Sequence, residues 1–123
     1  MALCPQHTFQ VLTKRPQRML DYITDPKTPG RVADKAKEHQ LLTPQQSQQD
    51  HFHRWHLPNL QLGISAGTQS AANNRIPLLL QTPAAVRFVS CEPLLELVDL
   101  TTVCCLNRAM TQPGVPFNPV PFH

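Results

Sequence analysis

Glycine, aromatic residues and charge are all scarce in this chain of 123 residues, which has 4 glycines, 6% aromatic and 15% charged residues. About 25% charge is usual for a soluble domain. The net charge of +3 is too small to imply a nucleic-acid partner. No apolar run approaches the roughly 18 residues of a membrane-spanning helix, and no signal peptide opens the chain, so a cytoplasmic protein is expected. The four cysteines, Cys4, Cys91, Cys104 and Cys105, have neither C-x-x-C spacing nor the even scatter of a small disulfide scaffold. Free thiols in a reducing compartment follow.

What is abundant is proline, with 13 residues. Each removes a backbone donor and fixes φ, which limits the length of helices and central strands. Hydrophobic residues, at 41%, suffice for a modest core. The length fits one domain or part of one, about half of the ~250 residues of a complete (β/α)8 barrel. Seven of the eleven basic residues fall within residues 14–37, where Asp21, Asp25 and Asp34 interrupt them. Two readings are open: a weak basic stripe, or a solvated helix face built from Lys35, Lys37, Asp34 and Glu38.

The run Thr8-Phe9-Gln10-Val11-Leu12-Thr13 is β-prone, and its two successive apolar residues suit a strand buried on both faces. Pro16 can open a helix at its first position, where the missing N–H costs nothing, with Met19, Leu20 and Ile23 as its apolar face. Thr24-Asp25-Pro26 ends it. Thr28 and Pro29 offer a cap and a first-turn proline for a weakly apolar, superficial second helix over Val32, Ala33 and Ala36. The polar stretch at 43–56 reads as an exposed insertion or a loosely docked helix. Leu60-Gln61-Leu62-Gly63-Ile64-Ser65 alternates as a strand, and residues 70–80 follow as a helix that Pro77 is expected to kink or restart. Val86-Arg87-Phe88-Val89-Ser90 is a third strand.

The order β, α, α, β, α, β, with connections long enough for crossovers, predicts an α/β fold of three parallel strand–helix units. If the strands are parallel, Thr13-Lys14-Arg15, Ser65-Ala66-Gly67 and Ser90-Cys91-Glu92 share the carboxyl-end rim where such folds place chemistry.

The segments HTFQVLTKRPQRMLDYI (7–23), LPNLQLGIS (57–65) and RIPLLLQTPAAVRFVSCEPLLELVDL (75–100) resemble the phage gene-product-37/gene-product-68 family, whose members are of unknown function. The resemblance runs in order over roughly three quarters of the chain and implies a fragment of a TIM-like partial barrel, similar to radical S-adenosylmethionine enzymes. For full-length relatives it implies an iron–sulfur cluster, held by an amino-terminal cysteine cluster, and S-adenosylmethionine. No cofactor is expected in this chain, because Cys4 stands alone and the next cysteine is Cys91, whereas a [4Fe–4S] centre needs closely spaced thiolates. The expectation is therefore of a chain truncated at both ends, with Met1 as an internal start. The barrel fragment would span 1–101, and an unmatched, irregular proline-rich tail would span 102–123, with prolines at 113, 116, 119 and 121. The loop after the second strand, Ala66-Gly67-Thr68-Gln69, also lacks the carboxylate the family tends to carry there.

Glu92, at a strand end, is the candidate general acid or base; its alternative role is to cap the turn. Lys14 and Arg15, with Ser65 and Ser90, are the candidate ligand-binding residues, able to neutralise a phosphate or carboxylate, and surface solvation is the alternative for the two bases. His51, His53 and His56 could meet on a metal but read better as a solvated loop, and no metal is assigned. Cys91 reads as a small buried hydrophobe rather than a nucleophile.

Three functions remain. The first is a fragment of a phage-associated radical-SAM-like protein, not catalytically competent alone. The second is a small binding module whose basic rim takes phosphate-bearing or nucleic-acid ligands, and the third is a non-functional truncated product. No membrane partner is expected.

Overall fold

The computed structural model describes residues 1–42, 57–101 and 103. Among them the chain forms a mixed α/β structure in the order β1 (Phe9–Thr13), α1 (Pro16–Thr24), α2 (Thr28–Glu38), β2 (Leu60–Ser65), α3 (Gln69–Gln81) and β3 (Val86–Ser90). The three strands make one sheet in the order β1-β2-β3, with both pairings parallel. This arrangement is consistent with a segment of an α/β barrel. The polar stretch at 43–56, with His51, His53 and His56, lies outside the described residues, as do Cys104, Cys105 and the proline-rich tail apart from Val103, which is buried.

Register and alternation sort the strand residues into two faces. Phe9, Val11 and Thr13 align with Leu60, Leu62 and Ile64, and Arg87 and Val89 with Leu62 and Ile64. This face is the covered one: Leu60, Leu62 and Ile64 are buried with Ala66, Ala72, Ile76, Leu79 and Val103, and Met19 and Ile23 of α1 pack on the cluster. The other face carries Gln10, Leu12, Gln61, Gly63, Ser65, Val86, Phe88 and Ser90. It is open, with Leu12 51% and Val86 45% exposed.

Strand β1 therefore departs from the expectation of burial on both faces. Its residues alternate half-buried and exposed because helices cover only one side of an edge strand. Helix α1 begins at Pro16, as its proline predicts. Helix α2 begins at Thr28, but Thr28 is its first residue rather than its cap. Its buried hydroxyl donates to the Tyr22 carbonyl in the last turn of α1 at 2.8 Å. Asp25 instead organises this turn: its carboxylate accepts the Lys27 N–H at 2.8 Å and pairs with Arg31. Lys35 and Glu38 form an exposed pair at 2.6 Å, in keeping with a solvated face on α2.

Helix α3 runs without a break through Pro77, against the expected restart. The proline has no N–H for the Asn73 carbonyl, but Ala72, Ile76 and Leu79 are 0%, 6% and 2% exposed, so buried contacts hold the helix on both sides of it. Thr68 caps its start, accepting the Ala71 N–H at 3.2 Å.

Candidate functional site

Parallel pairing brings the carboxyl ends of all three strands to one rim. Thr13 pairs with Ile64 and Ser65 with Ser90, so Lys14, one step past Thr13, falls level with Ser65 and Ser90. The Ala66 N–H donates to the Ser90 carbonyl at 2.8 Å and carries the ladder one residue beyond β2.

The candidates differ in how tightly the fold holds them. Ser65 is 6% exposed; Arg75 Nη1 of α3 donates to its carbonyl at 2.7 Å, and its hydroxyl faces the Glu92 carbonyl at 3.5 Å, the outer limit of a hydrogen bond. Ser90 is half-buried beside it. Lys14 and Arg15 are exposed, and the Arg15 N–H is anchored on Thr13 Oγ1 at 2.9 Å where the chain turns into α1. Glu92 is exposed, with its backbone at the rim. Among the described residues the side chains of Lys14, Arg15 and Glu92 make no ion pair. Two cations and a carboxylate thus stand in water at one end of the sheet, beside two hydroxyls. This arrangement can hold an anionic group and offers one carboxylate for proton transfer.

Residues beyond the strand motifs complete the rim. Residues 91–101 cross the end of β2: the Leu95 N–H donates to the Gly67 carbonyl at 2.9 Å, and Glu96 Oε1 accepts the Gln69 N–H at 2.6 Å. The Gln69 side chain donates to the Asp99 carbonyl at 3.1 Å and accepts the Asp99 N–H at 2.6 Å. A Cβ at Gly67 would collide with the Pro93 carbonyl oxygen, so this crossing needs glycine. Glu96 thereby supplies a carboxylate to the loop after β2, where the local sequence has none. Gln69, Glu96 and Arg75 carried no local signal, since their partners lie ten to thirty residues away.

Two described thiols, Cys4 and Cys91, are free and half-buried. Cys4 lies at the amino end of the sheet, its carbonyl held by Asn59 Nδ2 at 3.1 Å just before β2, whereas Cys91 follows β3 at the carboxyl end. Five or six strand residues separate those ends, about 17 Å. They cannot share a cluster, and among the described residues no group of three or more His, Cys, Asp or Glu is placed to hold a metal. The described residues therefore do not fit an iron–sulfur centre. No described helix is long and apolar enough to cross a membrane. The Asp25 carboxyl, held below its ordinary value, lies at the end of α1 away from the rim.

The fold and rim define an α/β protein built of parallel strand–helix units with a polar carboxyl-end edge. Residues 1–111 match the family described as "Protein of unknown function (DUF5131)", and the chain belongs to that family. The match continues past Leu100 into the first part of the tail. No curated protein and no solved structure matches the chain.

Proposed function

We propose that this chain is a portion of a larger, phage-associated, radical-SAM-like barrel protein of the cytoplasm, and that alone it is not catalytically competent. The observation that carries this reading is the open sheet face. A parallel sheet ordinarily has both faces covered, yet here Leu12 and Val86 stand about half exposed, opposite the face on which Leu60, Leu62 and Ile64 are buried. In a complete barrel that face would point inward and be filled by side chains from the remaining strands. Lys14, Arg15, Ser65 and Ser90 would then line part of a ligand site and Glu92 would serve as its acid or base. Any iron–sulfur cluster and S-adenosylmethionine would be held by parts of the whole protein other than these described residues.

Anaerobic reconstitution of the full chain with iron and sulfide tests this. No bound iron is expected after desalting, and stoichiometric retention of a cluster would overturn the reading. A second reading, a module that binds phosphate-bearing or nucleic-acid ligands on its own, draws support from the exposed side chains of Lys14 and Arg15, which make no ion pair among the described residues. It requires salt-sensitive binding that the Lys14→Ala, Arg15→Ala double variant abolishes.

A further inference from the structure

We infer that residues 91–101 form a strap latched by Gln69 over the carboxyl end of β2, and that this strap gates access to Ser65. The gating half rests on the rim being a ligand site; the latch stands on geometry alone. Ser65 lies on the open face, where Leu12 keeps 51% of its surface, yet Ser65 is only 6% exposed. The group that meets its hydroxyl is the Glu92 carbonyl, at the start of the strap.

Among the described residues the strap is tied to β2 and the turn after it mainly by hydrogen bonds. Leu94, Leu95, Leu97 and Leu100 are 62%, 70%, 91% and 41% exposed and add little burial, and among the described strap residues Val98 packs against the core cluster. Hydrogen bonds join it to Ser65 at the end of β2 and to two residues of the β2–α3 turn. Gly67 takes the Leu95 N–H, and Gln69 takes Glu96 on its backbone and both polar groups of Asp99 on its side chain. Asn73 Oδ1 accepts from the same Gln69 amide at 2.8 Å and fixes its orientation. Such bonds contribute modestly each, whereas β2 beneath is the most buried strand of the sheet. A segment tied by exposed polar contacts to a packed element opens below the threshold for global unfolding. Gln69 is the positioning residue because its side chain carries two of the ties at once.

Peptide-resolved hydrogen exchange on the full chain tests the latch. Gln69→Ala is expected to speed exchange at Leu95 and Asp99 by about tenfold or more, the loss of two hydrogen bonds, with Leu62 and Ile64 unchanged. Unchanged strap amides overturn the latch. Should β2 accelerate as well, Gln69→Glu decides, because it keeps the acceptor for the Asp99 N–H and loses only the donor. Acceleration confined to the strap supports the latch, and acceleration shared with β2 overturns it. For the gate, Ser65→Cys is alkylated with iodoacetamide with and without Gln69→Ala, and modification at position 65 is read by peptide mass. Faster modification in the unlatched chain supports gating, and equal rates overturn it. Cluster retention would sink the barrel-portion reading and leave both of these results untouched.

Discussion

Truncating one side chain on each face of the sheet measures how one-sided its burial is. Ile64 is 0% exposed at the centre of β2, flanked in register by Thr13 and Val89 under the α3 residues Ala72 and Ile76. Ile64→Ala removes buried atoms and leaves a cavity that a packed cluster fills only in part, which costs about 3 kcal/mol. Leu12 sits one register step away on the open face and is 51% exposed. About half of a full leucine burial is at stake there, so Leu12→Ala costs about 1 kcal/mol. The difference of about 2 kcal/mol is roughly a thirtyfold change in the unfolding equilibrium, a large share of the 5–15 kcal/mol that holds an ordinary domain together. Urea titration followed by far-ultraviolet circular dichroism reads both variants, and unchanged slopes would license the comparison. A Leu12→Ala cost equal to that of Ile64→Ala would refute the open face, because it would mean that Leu12 is covered in solution.

Three further outcomes are expected. Gly67→Ala forces the Pro93 carbonyl away from the β2–α3 turn; exchange at Leu95 should rise while Ile64 stays protected, and a strap as protected as in the parent chain would refute the close approach. Gly63→Ala drives the Phe88 ring off the middle strand. The lost contact and the lower unfolded-state entropy on replacing glycine nearly cancel, leaving stability within about 1 kcal/mol, and the ring-current shift shown by the Gly63 α-protons in the parent is absent from the one α-proton left at position 63; no such shift in the parent would contradict the close approach of the ring. The Asp25 carboxyl is held below its ordinary value of 3.8, chiefly by the Lys27 N–H and, against some desolvation, by the Arg31 guanidinium. Because the folded value is the lower one, the support this charge lends to the α1–α2 turn is complete above pH 3.8 and is lost as pH falls through the folded value. A carboxyl titration followed by NMR with a midpoint at or above 3.8 would overturn this.

The strands and helices were legible wherever the chain states its own periodicity. Leu60, Leu62 and Ile64 alternate and are buried together, Pro16 starts α1, and the helix expected at 70–80 occupies Gln69–Gln81. What misled was local grammar overruled by packing. Val11 and Leu12 in succession suggested a doubly buried strand, but Leu12 stands about half exposed. Thr28 has the chemistry of a cap, and the Tyr22 carbonyl took its hydroxyl instead. Parallel register made the row of Lys14, Ser65 and Ser90 inferable from strand ends alone. The strap could not be inferred, since a glutamine at the start of a helix carries no sign of the Asp99 backbone thirty residues on.

The open face also has an internal order that bears on what should cover it. Reading across the register gives Gln10, Gln61 and Val86 in the first row, Leu12, Gly63 and Phe88 in the second, and Lys14, Ser65 and Ser90 at the rim. Gln10 Nε2 donates to Gln61 Oε1 at 2.8 Å, so the first row satisfies part of its own polarity. In the second row glycine on the middle strand admits the Phe88 ring from β3, a large side chain filling the place of an absent one. Interior positions of small barrels are filled by side chains, often alternating small and large, and this row, with glycine beside phenylalanine, has that character. A partner that merely paired with a sheet edge would leave the row wet. Covering it takes side chains facing it from across the sheet, as the remaining strands of a closed barrel would supply, and that requirement ties the burial of Phe88 to the completion of the rim above it.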